Sequence, residues 1–410
     1  MSSPTTEAPK PETRPKLPEG WRWVRLGEIS EVIAGQSPPS ATYRKAPEGL
    51  PFFQGKADFG ERHPVATVWC TSPKKTAEAG DILISVRAPV GPTNIADQRC
   101  CIGRGLAAIR VGGLADRDFI LWAIRRFEAE IAKRGSGSTF DSLPVDELRN
   151  FPIPLPPLET QRRIAAILTE QMGAVEKARK AAEEGLEAAR KLPEACLRSA
   201  FPTVPITVNT APAPKGWRWT LLTDFARLES GHTPSRRREE WWGGDIPWIS
   251  LSDIRALDGK TAIQTREYTN PEGIANSSAR VLPAGTVVLS RTASVGFVTV
   301  MGRPMATSQD FVNWVCGPEL EPWYLAYALM ASREYIRSLG SGAVHQTVYV
   351  PVVQRFRLLH PDLEMQRRII ATLNDQLAHT KHLVCGLEAQ LEAIRALPAA
   401  ILRRAFSGEL

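Results

Sequence analysis

"LETQRRIAAIL" at residues 158–168 returns as "LEMQRRIIATL" at residues 363–373, identical in eight of eleven places. "ARKLPEACLRSAF" (189–201) returns as "IRALPAAILRRAF" (394–406) in eight of thirteen, and both pairs lie 205 residues apart. Nearer the start, "GWRW" at Gly20–Trp23 recurs at Gly216–Trp219, a displacement of 196. Weaker echoes keep the 205 offset: "AGDILIS" from Ala79 with "AGTVVLS" from Ala284, and "SGST" from Ser136 with "SGAV" from Ser341. Nine extra residues therefore enter the second copy early. One long period repeated once reads as a tandem duplication, each copy a globular segment followed by a helix.

The helical parts carry a second pattern. Leu168, Met172, Val175, Arg179, Ala182, Leu186, Ala189, Pro193 and Cys196 step by 4, 3, 4, 3; adding 205 gives Leu373, Leu377, Thr380, Val384, Leu387, Leu391, Ile394, Pro398 and Ile401. Such a seam belongs to a helix packed at a shallow angle on a partner helix. The economical arrangement pairs the two helices antiparallel; the alternative packs each on its own globular core. Leu192-Pro193 and Leu397-Pro398 are expected to end or kink the helices, with short segments restarting beyond them.

Short β-branched runs such as "DILISV", "TVVLSR", "FVTVM" and "FVNWV", punctuated by Gly and Pro, read as strands. "DFILWAIRRFEAEIAKR" and "PWYLAYALMASREYIRSL" place apolar residues at helical spacing, so each globular part should hold at least one amphipathic helix. The expected fold class is α/β in the α+β sense: two globular domains joined by two long helices forming an antiparallel coiled coil, with internal pseudo-twofold symmetry. The expected boundaries are a disordered Pro-rich tail at 1–18, globular domains at 19–157 and 216–360, helices at 158–201 and 361–410, and a linker at 202–215.

Composition narrows the function. In 410 residues, Lys plus Arg number 51 against 44 Asp plus Glu, a net charge of +7 that favours a polyanionic partner. The six cysteines show no C-x-x-C spacing and read as reduced thiols of a cytosolic protein. No apolar run approaches the roughly 18 residues of a membrane span, so a soluble, cytoplasmic protein is expected.

Catalytic signatures are sparse. "GLPFFQGKA" has Ala57 where a phosphate loop needs Ser or Thr, and "RGSGSTF" follows a helix instead of a strand. His379, His382 and Cys385 share a helical face that solvation explains better than a metal. Asp245, followed by Asp258-Gly259-Lys260, fits the loose spacing of a metal-dependent nuclease, but the first copy lacks it. No metal or cofactor is therefore expected.

One stretch mixes strong charge with large flat apolar rings: "GHTPSRRREEWWGGDIPWISLSDI", Gly231 to Ile254. Together with the duplication, "AGTVVLSRTASVG", "PIPLPPLETQRRIAAIL" and the terminal "AFSGEL", it resembles the specificity subunit of type I restriction-modification systems. The likeness runs from Gly20 to Leu410. One departure is that Thr160 and Met365 stand where the family more often has a second acidic residue. The resemblance implies a non-catalytic protein with two target recognition domains, each reading half of an interrupted DNA site. It further implies that the helices fix the gap, and that two methyltransferase subunits and the restriction subunits dock on the chain. Residues Leu168 to Cys196 would span about 42 Å, roughly one turn of B-DNA plus a little.

In the second copy, Arg236, Arg237 and Arg238 are candidates for phosphates or guanine edges, where Arg bonds bidentately; the other reading pairs them with Glu239 and Glu240 on a solvated loop. Trp241, Trp242 and Trp248 read as braces for that loop. The first copy supplies Gln36, Arg44, Lys45 and Lys56. Arg87, Arg104, Thr139, Ser252, Arg291, Thr292, Gln309, His345 and Gln346 complete one candidate set for DNA bases and phosphates together.

Overall fold

The computed structural model describes residues 17–135, 142–341 and 346–410, so most of the proposed tail lies outside the described residues. Two compact units emerge: residues 1–183 with 390–410, and residues 184–389.

In the first unit, a four-stranded sheet runs in the order Ser30–Ala34, Leu106–Val111, Ile82–Ser85, Thr93–Ile95. Every pairing in it is antiparallel. The second unit repeats this arrangement with Ala226–Ser230, Phe311–Cys316, Val287–Ser290 and Val298–Met301, and adds Thr261–Ala262 at the edge. The first strand of each sheet keeps the 196 offset and the others the 205 offset, so the nine-residue insertion falls between them. Each unit also pairs its entry strand with the strand that precedes its long helix: Arg22–Arg25 with Pro152–Leu155, and Arg218–Leu221 with Arg357–His360. The segment at 202–215 contributes Ile206–Thr207 to the latter sheet.

The helices covering the sheets are Arg117–Arg126 followed by Glu128–Lys133, and Pro322–Ala331 followed by Arg333–Ser338. Each buries six consecutive residues, Phe119 to Ile124 and Tyr324 to Leu329. In Pro322–Ala331 burial on all sides replaces the amphipathic pattern expected, while Arg117–Arg126 keeps that pattern, with Arg117, Asp118, Arg125 and Arg126 half-buried.

Gln161 and Gln366 join these helices to the long ones. Each is 1 % exposed. The Gln161 carboxamide accepts from Asp116 N at 2.7 Å and donates to Pro156 O at 2.8 Å. Its repeat mate Gln366 accepts from Glu321 N at 3.1 Å and donates to Pro361 O at 3.3 Å. Two helix N-termini are thereby tied together through one buried side chain.

The long helices are Leu158–Ser199 and Leu363–Phe406. Neither proline ends its helix: Pro193 and Pro398 lie inside, with helical turns on both sides. A mid-helix proline costs about 3 kcal/mol, and here apolar anchors just beyond it hold the chain in register. Leu197 and Phe201 join the core of the second unit, and Leu402, Ala405 and Phe406 join that of the first. Phe406 packs 5.2 Å from Phe119, and its mate Phe201 packs 5.7 Å from Tyr324. Each globular core is thus completed by the end of the helix belonging to the other copy. Truncating such an anchor to Ala costs about 3–5 kcal/mol.

Within the first unit, Arg163 donates to Leu410 O at 3.2 Å and Arg395 to Glu183 at 3.3 Å, so one helix descends as the other climbs. Within the second, Arg190 meets Glu388 at 2.7 Å. The antiparallel pairing is therefore present in each unit. All eighteen seam positions predicted above are buried or half-buried. The helices pair with each other and also cap the cores, so the two packing schemes weighed from sequence coexist.

Candidate nucleic-acid interface

Backbone geometry builds one edge in each unit. In the first, Gly35 N donates to Leu106 O and Gln36 N to Ile102 O, both at 3.0 Å. Gly35 is required there, since a Cβ would stand 2.2 Å from Gly103 O. Val86 N donates to Gly105 O at 2.9 Å, and Arg104 N donates to Ser37 Oγ at 3.2 Å. A Cβ on Gly105 would lie 2.2 Å from Gln54 O, which draws the turn bearing Lys56 against the same place. The structure therefore gathers Gln36, Lys56, Arg87 and Arg104, all exposed. Among the described residues, the side chains of Lys56, Arg87 and Arg104 form no hydrogen bond or ion pair. Arg44 is committed instead to Ala41 O and Tyr43 O at 2.9 Å and to Glu48 at 3.3 Å, with Lys45 exposed beside it.

The second unit repeats the backbone bonds of this scaffold. Gly231 N donates to Phe311 O at 3.4 Å and His232 N to Thr307 O at 2.9 Å, while a Cβ on Gly231 would meet Ser308 O at 1.9 Å. Thr233, the counterpart of Ser37, donates its hydroxyl hydrogen bond to Gln309 Oε1. Arg291 donates to Gln309 O at 2.7 Å. Thr292 bridges Thr347, and Gln346 donates to Arg337 O at 3.0 Å while its carbonyl accepts from Ala293 N. Ser252 is exposed, 2.6 Å from the Ser250 hydroxyl at the start of helix Leu251–Leu257. Thr139 and His345 lie outside the described residues. His232, half-buried at the position equivalent to Gln36, belongs with the edge and was missed from sequence; the 196 offset was the signal that marked it.

The arginine loop divides its labour. Arg236 lies 4.0 Å from the centre of the Trp242 ring and 4.9 Å from that of Trp248. It also makes two hydrogen bonds to Glu267, which hold the Glu267 carboxyl below its usual range. Trp248 and Trp242 donate to His232 O at 3.1 Å and Ser235 O at 3.3 Å, bracing the loop from beneath. Arg238 meets Glu240 at 3.5 Å. Arg237 is exposed and makes no hydrogen bond or ion pair among the described residues.

The nuclease pattern does not assemble. Both Asp258 oxygens are taken by Arg333, Lys260 donates to Ala256 O at 2.8 Å, and Asp245 stands exposed on another element. No metal-holding group of three His, Cys, Asp or Glu occurs among the described residues, and His379, His382 and Cys385 are solvent-exposed. Among the described residues no helix is long and apolar enough to cross a membrane.

A family profile described as "Type I restriction modification DNA specificity domain" matches twice, over residues 18–183 and 214–393. The chain belongs to this family. Among members of the type I specificity family, a putative type I restriction enzyme MjaX specificity subunit of Methanocaldococcus jannaschii is 41% identical over 180 residues, 43% of this chain and 42% of that protein. The HindI specificity subunit of Haemophilus influenzae is 24% identical over 174 residues, 41% of this chain and 38% of that one. The matched segments thus span about two fifths of these relatives. The fold is shared with the HsdS subunit of Thermoanaerobacter tengcongensis, at TM-score 0.69 and 23% identity, covering 97% of this chain and 100% of that one. It is shared equally with a chain from a structure on complex assembly and conformational transition of the type I R-M system, at TM-score 0.73 and 24% identity with the same coverage.

Proposed function

We propose that this chain is the DNA sequence-specificity subunit of a type I restriction-modification complex. Residues 19–157 and 216–360 act as target recognition domains, each reading one half of an interrupted double-stranded site. The helical segments 158–201 and 361–410 are spacers that set the gap, and 202–215 is the linker. Two methyltransferase subunits and the restriction subunits assemble on this scaffold and supply the chemistry; the chain has no active site of its own and acts in the cytoplasm.

The observation that carries this reading is the repeated edge. Matching backbone bonds flank Gln36, Arg87 and Arg104 in one unit and His232, Thr292 and Gln309 in the other. A constant scaffold with different polar side chains at equivalent places is what reading two different half-sites needs, since base identity is carried by side-chain donors and acceptors. Arg237, Lys45 and Lys56 suit phosphates, which position a protein on DNA without reading it.

Mobility shifts with the full chain, alone and with its methyltransferase partner, test the reading. The expected result is selective binding of a two-part sequence, with no methyl transfer or magnesium-dependent cleavage by the chain alone. Sequence-independent binding, or cleavage by the isolated chain, overturns it.

A further inference from the structure

Residues 104 and 309 occupy one place in the two units, 205 positions apart. Each sits on the turn that enters the sheet strand Leu106–Val111 or Phe311–Cys316. Hydroxyls at equivalent positions, 196 apart, bond the two residues, the backbone in the first copy and the side chain in the second: Ser37 accepts from Arg104 N at 3.2 Å, and Thr233 donates to Gln309 Oε1. Both residues are exposed. Their free functional groups differ in kind.

The Arg104 guanidinium has no hydrogen bond or ion pair among the described residues, so its whole fork of N–H donors is available. That fork matches the O6 and N7 acceptors of guanine. Gln309 is oriented by Thr233: one lone pair of its carboxamide oxygen is used, and its amide nitrogen forms no hydrogen bond among the described residues. One acceptor site and two donors remain, the set that pairs with N6 and N7 of adenine. Its neighbours are less free. The Arg291 guanidinium is held by Gln309 O at 2.7 Å, and the Gln346 amide by Arg337 O at 3.0 Å.

We infer that this shared position determines specificity in both units: Arg104 reads a guanine in the half-site of the first unit, and Gln309 an adenine in the half-site of the second. The inference rests on the DNA-reading role proposed above and goes beyond it by assigning a base type to each unit.

The test is selection from a random-sequence duplex library by the full chain with its methyltransferase partner, comparing the parent with Arg104→Gln, Gln309→Arg and Arg104→Lys. Thermal melting verifies that each variant is folded. The parent should select a guanine in one half and an adenine in the other. Arg104→Gln should lose the guanine preference by roughly tenfold or more at that base pair alone. Gln309→Arg should turn the adenine preference toward guanine in the other half, and Arg104→Lys should retain a weakened guanine preference. If the parent selects no two-part sequence, the specificity role fails and this inference with it. If the parent selects but the variants keep its base preferences, or weaken all sequences uniformly, the role stands and the assignment of positions 104 and 309 falls.

Discussion

Arg333 Nη2 lies 2.7 Å from both carboxylate oxygens of Asp258, which also accepts from Val298 N at 2.9 Å. The pair is largely shielded, with side chains 21% and 18% exposed, and it ties helix Arg333–Ser338 to strand Val298–Met301. Asp258→Ala should therefore cost about 2–4 kcal/mol, because it leaves a half-buried guanidinium without its partner. Urea unfolding measures this, and neither parent nor variant should nick DNA with magnesium. An unchanged midpoint would show that the pair contributes nothing to stability.

Replacing Arg236, Arg237 and Arg238 together by Ala should weaken DNA binding and lower the salt slope by about 0.9 for each phosphate no longer neutralised. The single variants separate the roles. Arg237→Ala should carry the salt effect at unchanged melting temperature. Arg236→Ala should alter tryptophan fluorescence, since it uncovers Trp242 and Trp248. A slope that drops for Arg236→Ala and not for Arg237→Ala would reverse the assignment.

Deleting Val175 to Ala181 together with Thr380 to Gly386 removes one heptad from each long helix and preserves the seam. The span shortens by about 10 Å, or about three base pairs. Both half-site sequences should survive while the preferred gap in a randomised-gap library contracts. An unchanged gap at comparable affinity would show that the helices do not set the spacing.

His360 is fully buried, with Nδ1 against Pro361 O at 2.9 Å and Nε2 against the Thr220 hydroxyl at 2.9 Å. Burial is the main reason its pKa lies below the usual 6.5, opposed by the bond to the Pro361 carbonyl. Because the folded pKa is depressed, the unfolded chain takes up its proton first as the pH falls. Stability from this residue is present above pH 6.5 and is lost as the pH drops through the lower folded value. His360→Gln should remove that part of the pH dependence. Parallel stability-versus-pH curves for parent and variant would show that the imidazole is not held neutral.

The duplication, the strands and the helical seam were legible because each is written in local spacing: Leu168 and Leu373 keep both the offset and the heptad. Pro193 and Pro398 do not end their helices, because anchors at Leu197, Phe201, Leu402 and Phe406 hold the chain beyond them, and only the tertiary packing reveals those anchors. Gln161 read as part of a helix start; its bond to Asp116, 45 residues earlier, is invisible to periodicity. Arg236 looked as free as Arg237 because Glu267 lies 31 residues away. The separate edges bearing Arg104 and Gln309, one in each unit, became visible only once the turns of each unit had been folded together.

Because Phe406 and Leu402 close the first core while Phe201 and Leu197 close the second, the unit of inheritance is not a continuous stretch of sequence. A graft that moves the first unit between relatives must carry residues 390–410 along with residues 1–183. Hybrids cut at the globular boundary alone receive a core whose lid was shaped for another partner. Recombination that exchanges whole units should therefore succeed most readily where the helix ends are nearly interchangeable, and "LRSAF" and "LRRAF" differ at a single position.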